Sequence, residues 1–343
     1  MKPTTIAVDL AKNVFEIAVS HHPGRVAKRH RLSRTRLLPF FAQQPQATVL
    51  LEACASAHHW SRQLHELGHN VVLLPPRHVR PYRCGNKTDR ADAKALLEAF
   101  RNDEIRPVPV KSVEQQTLAA LHRLRSGWLA TRTARLNAVR GILRELGLTI
   151  PAGARQVVPR LRTLLEDADS PLPQALRPAL AEAGNDIREL EVRIHDLERQ
   201  LKALARQIPA VAYLLTIPGI GLLTATALVA FVGDVRRFPS ARHFASYLGL
   251  TPREHSSGNI RRLGRISKRG DPYLRMLLIH GARSVLWAAK THKQPNQLQR
   301  WALHLEVTRG HNKAAVALAN KLARFAWVVL KEKRDFHTTR RAA

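Results

Sequence analysis

Ten apolar residues, Leu176, Leu180, Ala183, Ile187, Leu190, Ile194, Leu197, Leu201, Leu204 and Ile208, alternate spacings of four and three and stop at Pro209. This is an a/d heptad seam over four repeats, and such a seam folds only by burying itself against another helix. Two partners fit. Residues 118–146 are a second helical stretch without proline, ending at Gly147 with Pro151 just beyond, and can fold back as an antiparallel hairpin within the chain. The same seam on another copy is the other partner, which would make the stretch an oligomerisation arm. One sequence does not separate the two.

Residues 1–108 read as α/β. Ile6–Val8 and Val14–Val19 are short β-type runs separated by a turn, as in a hairpin, with a more basic run near Val26–Leu32. Thr48–Leu51 and Asn70–Leu74 suit buried strands, and the helical pattern Trp60, Leu64, Leu67 lies between them and ends at Gly68. A hairpin followed by strand–helix–strand predicts a ribonuclease-H-like sheet rather than a purely parallel one.

The charge narrows the partner. The 343 residues hold 56 Lys+Arg against 26 Asp+Glu, a net +30, and residues 209–343 contribute +17 of it. Such an excess on a chain with 45% apolar residues belongs to a folded protein that meets a polyanion, nucleic acid by default. The longest apolar stretch, Leu222–Val232, is too short for a membrane helix, and Met1–Asp9 has no secretory apolar region. Cys54 and Cys84 are too few for a disulfide framework or a zinc site. A reduced, cytoplasmic compartment and no membrane partner are expected.

Four carboxylates have unusual neighbours. Asp9 and Glu52 each end an apolar β-run, while Asp89 and Asp92 open a helix that Thr88 can cap. Their three-residue spacing puts the last two on one helix face. Four acids converging from two strand ends and a helix repel one another unless cations intervene. Two Mg²⁺ ions would relieve this and supply the clamp used in phosphodiester cleavage.

In the C-terminal third, Pro218-Gly219-Ile220-Gly221 between two helical stretches predicts a helix–hairpin–helix, with Gly219 and Gly221 letting the backbone approach a phosphate. Further on, Gly249–Gly258 is a Gly/Ser-containing loop followed by Arg261, Arg262, Arg265, Lys268 and Arg269. With Arg253, these are candidate phosphate contacts. Ser256, Ser257 and Ser267 are candidate nucleophiles among cations.

Six motifs occur in one order: Val-Asp-Leu-Ala-Lys (8–12), Leu-Glu-Ala-Cys (51–54), Lys-Thr-Asp-Arg-Ala-Asp-Ala (87–93), Ile-Pro-Gly-Ile-Gly (217–221), Phe-Ala-Ser-Tyr-Leu-Gly-Leu-Thr-Pro (244–252) and Ser-Ser-Gly (256–258). Together they resemble the DEDD transposases of the insertion-sequence one-ten family, one-one-one-one branch. The resemblance implies a RuvC-like domain over 1–108, a helical coiled-coil region over 109–208 and a mainly α transposase domain over 209–330, followed by a basic tail over 331–343. It carries the acidic, Mg²⁺-binding site onto Asp9, Glu52, Asp89 and Asp92, and the nucleophile onto Ser257, the serine directly before the glycine. It also implies donor and target double-stranded DNA, a non-coding bridge RNA as guide, a homo-oligomer (dimer or tetramer), and a bacterial, nucleoid-associated setting. The expected function is a site-specific DNA recombinase that moves an insertion element. A RuvC-like metal-dependent junction nuclease and a non-catalytic nucleic-acid-binding protein are the competing readings.

Overall fold

In strand β1 (Thr5–Asp9) apolar side chains leave the sheet on both sides, and the whole N-terminal architecture follows from that alternation. The structure, a computed structural model, describes residues 4–22, 25–86, 88–291 and 294–337. Lys87 of the acidic motif and residues 338–343 of the basic tail lie outside them. Contacts gather the chain into two compact units, residues 1–113 and 114–343, each described by itself.

In the first unit β1, β2 (Val14–Ser20), β3 (Lys28–Ser33), β4 (Thr48–Glu52) and β5 (Asn70–Leu74) form one sheet of order β3-β2-β1-β4-β5. The first three strands are antiparallel; β1–β4 and β4–β5 are parallel. This is the expected ribonuclease-H-like order, and the basic run near Val26–Leu32 is its outer strand. Helices α1 (Leu37–Ala42) and α2 (Ala57–Glu66) cover one face, where Phe41, Trp60 and Leu64 pack on Ile6, Val8, Phe15, Ile17, Val49 and Leu51. After the short α3 (Pro76–Val79), helix α4 (Asp89–Phe100) covers the other face, with Ala93, Leu96 and Leu97 against Ala7, Ala18 and Leu50.

The second unit is built on α5 (Val113–Glu145), α6 (Val157–Glu166) and α7 (Arg177–Ala205). The heptad seam takes its partners inside the chain. Leu180 and Ile187 pack with Leu136, Val139 and Leu143 of α5 and with Leu161 of α6, while Leu197 and Leu201 join Leu118 in the main core. Arg125–Glu198, Arg132–Glu191 and Arg135–Asp186 pair at 2.6, 2.5 and 3.6 Å. Rising numbers on α5 meet falling numbers on α7, so the two helices are antiparallel. Partly exposed pairs of this kind are each worth about 0–1 kcal/mol; the buried apolar seam supplies the stability and the charges set the register.

The remaining core gathers α8 (Pro209–Leu215), α9 (Leu222–Val232), α10 (Ala241–Tyr247), α11 (Pro272–Thr291), α12 (Gln297–Arg309) and α13 (His311–Glu332). A two-stranded ribbon, β6 (Pro252–Glu254) and β7 (Leu263–Ile266), stands exposed between α10 and α11 in the chain. Among the described residues no helix is long and apolar enough to cross a membrane.

Candidate active site

Strand alternation decides where the acids point. Ala7 faces α4, so Asp9, two residues on, emerges on the same side; Leu50 does the same for Glu52. Both acids therefore leave the carboxyl ends of adjacent parallel strands toward the first turn of α4. That turn is fixed by Thr88, whose hydroxyl accepts from the Ala91 N–H at 3.2 Å, and it presents Asp89 and Asp92. The four acids expected to act together thus line one cavity of about 340 Å³, shared with Arg80 and Arg83.

The electrostatics show how closely they meet. Burial pushes the Asp9 carboxyl up to about 6, and Asp92, Asp89, Glu52 and Glu16 add to the shift in that order. Arg83 donates to Asp92 Oδ1 at 3.1 Å. No group of three or more His, Cys, Asp or Glu side chains among the described residues forms a ready metal shell. The donor set still suits a hard divalent cation, since it offers carboxylate oxygens whose mutual repulsion such an ion relieves.

Two residues here escaped the motifs. Glu16 pairs with Asp9 across the β1–β2 hairpin and is 8% exposed, with Arg29 and Arg90 each 3.8 Å away. A lone acid between Phe15 and Ile17, on the strand opposite Asp9, is the signal that could have found it. Arg83 has no comparable sequence signal, because only the fold of the segment before α4 brings it to Asp92.

The exposed ribbon sorts the serines. Ser256 Oγ donates to Glu254 Oε1 at 2.7 Å and accepts from the Arg262 N–H at 3.2 Å. The Ser256 hydroxyl holds the Glu254 carboxyl below the usual range, with Arg261 adding to the shift. Ser257 pairs through its backbone with Ile260, at 3.3 and 3.1 Å, across a tip where Gly258 has φ +54°. Its exposed hydroxyl makes no hydrogen bond among the described residues. Ser267 Oγ accepts from the Arg269 N–H at 3.4 Å. Arg253, Arg261, Arg262, Arg265, Lys268 and Arg269 are all exposed on this ribbon and the turn after it. Arg261 reaches Glu254 at 3.3 Å and Arg253 donates to the Ser267 carbonyl.

The Pro-Gly-Ile-Gly turn does lie between two helices, α8 and α9, but its glycines differ. Gly219 has φ +86°, and a Cβ there would stand 2.6 Å from Val285 and 2.9 Å from the Gly281 carbonyl oxygen, so it serves packing against α11. Gly221 is exposed, with no such neighbour within 4 Å, and precedes the free N–H groups of α9.

Known proteins are similar in sequence to this chain along nearly its whole length. A family model for DEDD transposases of the IS110 type matches residues 6–147, and one described as "Transposase IS116/IS110/IS902 family" matches residues 211–298. The chain is 44% identical over 333 residues to the "Probable family 20 transposase" of Pseudomonas aeruginosa, covering 96% of this chain and 97% of that one. It is 38% identical to the transposase for insertion sequence element IS1111A of Coxiella burnetii, over 96% of this chain and 90% of the relative. The same identity links it to the transposase for insertion sequence element IS1328 of Yersinia enterocolitica, over 95% and 96%. Two family models, relatives matched over almost their full length and the acidic cluster on a ribonuclease-H-like sheet agree: the chain belongs to the IS110/IS1111 family of insertion-sequence DNA transposases.

Proposed function

We propose that this transposase cuts and rejoins DNA strands with Ser257 as nucleophile and with Asp9, Glu52, Asp89 and Asp92 as a two-Mg²⁺ site. The observation that carries the reading is the crowding around Asp9, whose carboxyl is lifted to about 6 by burial and by the neighbouring acids. A binding protein would have no reason to gather four carboxylates where phosphates must approach. Bound at these oxygens, magnesium supplies positive charge to a phosphodiester and to its leaving oxygen.

The chain's own residues account for the rest. Ser256 is tied to Glu254 and Arg262, which holds the ribbon's register and leaves the next hydroxyl free. The Ser257 oxygen attacks phosphorus and loses its proton; the bond to the leaving strand's oxygen breaks, and that oxygen takes up a proton. The product is a serine phosphodiester, so a new strand's hydroxyl can reverse the step with another partner and no external energy source. Arg261, Arg262 and Arg265 offset the charge that builds on the phosphoryl oxygens. Joining two duplexes needs more strand cuts than one serine makes, which supports a homo-oligomer. The guide RNA rests on the family resemblance; the net +30 suits RNA and DNA alike.

The test is a denaturing gel of the chain with labelled element-end DNA and Mg²⁺. A protease-sensitive adduct is expected for the wild type and for Ser256→Ala at reduced yield. It is expected to vanish in Ser257→Ala and Asp9→Ala. Cleavage without an adduct in every variant would replace this mechanism with hydrolysis by a junction nuclease.

A further inference from the structure

One cavity of the second unit has no part in the chemistry above. It measures about 680 Å³ and lies between α10, α13 and the segment that follows α13, within the ~300–1,000 Å³ typical of small-ligand sites. Its far wall is built rather than frayed. Lys333 turns the chain with φ +49°, the Arg334 N–H donates to the Val329 carbonyl, and the Phe336 N–H donates to Thr216 Oγ1 at 2.8 Å. Phe336 is thereby set against Phe325, ring centroids 4.8 Å apart, and both rings line the cavity while only partly covered by the core.

The polar side of the cavity is cationic. Arg242, Lys321 and Arg324 line it, and of the two lining acids Glu332 is already paired with Arg334, leaving Asp335. Lys321 and Arg324 lie three residues apart on one helix, where like charges oppose each other. Burial, with Arg324 adding to it, lowers the Lys321 ammonium from its ordinary value. Among the described residues the buried Nε of Arg324 finds no acceptor, an arrangement that costs free energy unless an acceptor arrives.

We propose that this cavity receives one unpaired nucleotide of a nucleic-acid strand, its base against Phe325 and Phe336 and its phosphate at Arg324, Lys321 and Arg242. Aromatic faces accept any base by stacking, while clustered cations select the phosphate. A strand entering here would be held by an unstacked nucleotide away from Ser257 on the sequence, giving the transposase a grip on single-stranded DNA or on RNA. The inference rests on reading the chain as a nucleic-acid enzyme.

The experiment is calorimetric titration of the full chain with thymidine 5′-monophosphate, uridine 5′-monophosphate, thymidine and inorganic phosphate, with duplex binding followed separately by anisotropy. Both monophosphates, or one of them, are expected to bind at least about tenfold more tightly than thymidine or phosphate alone. Arg324→Gln and Phe336→Ala are each expected to weaken that binding about fivefold or more, with duplex affinity within about twofold of wild type. Preference for uridine or thymidine monophosphate would identify RNA or DNA as the source, and equal binding would make the site common to both. Phosphate binding as tightly as the nucleotides, no nucleotide binding, or variants indistinguishable from wild type would each overturn the proposal. Loss of duplex binding by the wild type would instead overturn the functional reading beneath it.

Discussion

Gly281 of α11 meets Gly219 of the α8–α9 turn backbone to backbone: a Cβ on Gly281 would stand 1.9 Å from the Gly219 carbonyl oxygen. Neither backbone can retreat without moving its helix. Gly281→Ala is therefore expected to cost about 1–3 kcal/mol by overpacking. Gly221→Ala, at φ −91° and in open space, should stay within about 0.5 kcal/mol of wild type. Thermal melts of the two variants make the comparison.

Asp9→Asn removes one charge from the crowded acidic cavity. Without divalent ions the variant is expected to melt no lower than wild type, because repulsion among Asp9, Asp92, Asp89 and Glu52 is reduced. Adding Mg²⁺ should stabilise the wild type by about 2.7 kcal/mol at a hundred times its Kd and the variant by much less. Equal Mg²⁺ shifts for both proteins would argue against metal at these carboxylates.

His122 predicts an acid limit to stability. Its ring is 1% exposed, with Nδ1 2.9 Å from the Tyr273 hydroxyl and Nε2 3.0 Å from Thr226 Oγ1. Burial, reinforced by Arg125, lowers it from 6.5 to about 4. Between those values the unfolded chain binds more protons than the folded one, so stability falls as pH drops from about 6.5 toward 4 and is fully present above 6.5. The loss is of order 3 kcal/mol. His122→Gln should flatten this part of the pH–stability curve measured by urea unfolding, while lowering stability at neutral pH.

Because the heptad seam is filled from within the chain, Ile194→Asp combined with Leu201→Asp is expected to unfold the second unit rather than release subunits. Leu201 is 0% and Ile194 8% exposed, and unpaired carboxylates there cost several kcal/mol. Circular dichroism alongside sedimentation distinguishes the outcomes; a folded chain of smaller mass would assign the seam to an oligomer interface.

Replacing Arg261, Arg262 and Arg265 with Gln should reduce the log–log salt slope of duplex binding by about 2.7, at ~0.9 per phosphate contact. An unchanged slope would place the phosphates elsewhere.

Much of this protein was legible in local pattern. The period-two strands, the hairpin-first order, the Thr88 cap and the heptad are properties of short windows, so sheet order, α4 and the buried stripe of α7 follow from sequence alone. Alternation even determined that Asp9 and Glu52 share a face with Ala7 and Leu50. Tertiary structure decided what depends on residues far apart in the chain. The antiparallel meeting of α5 and α7 covers the seam within the chain, and the fold brought Arg83 to Asp92. The packing of α11 gave Gly219 a different task from Gly221, although both belong to one motif. Ser256 differs from Ser257 in accepting a hydrogen bond from the backbone of Arg262, six residues away across the ribbon. Local propensity carries no information about such pairings, because their energy arises only when burial and charge from distant segments coincide.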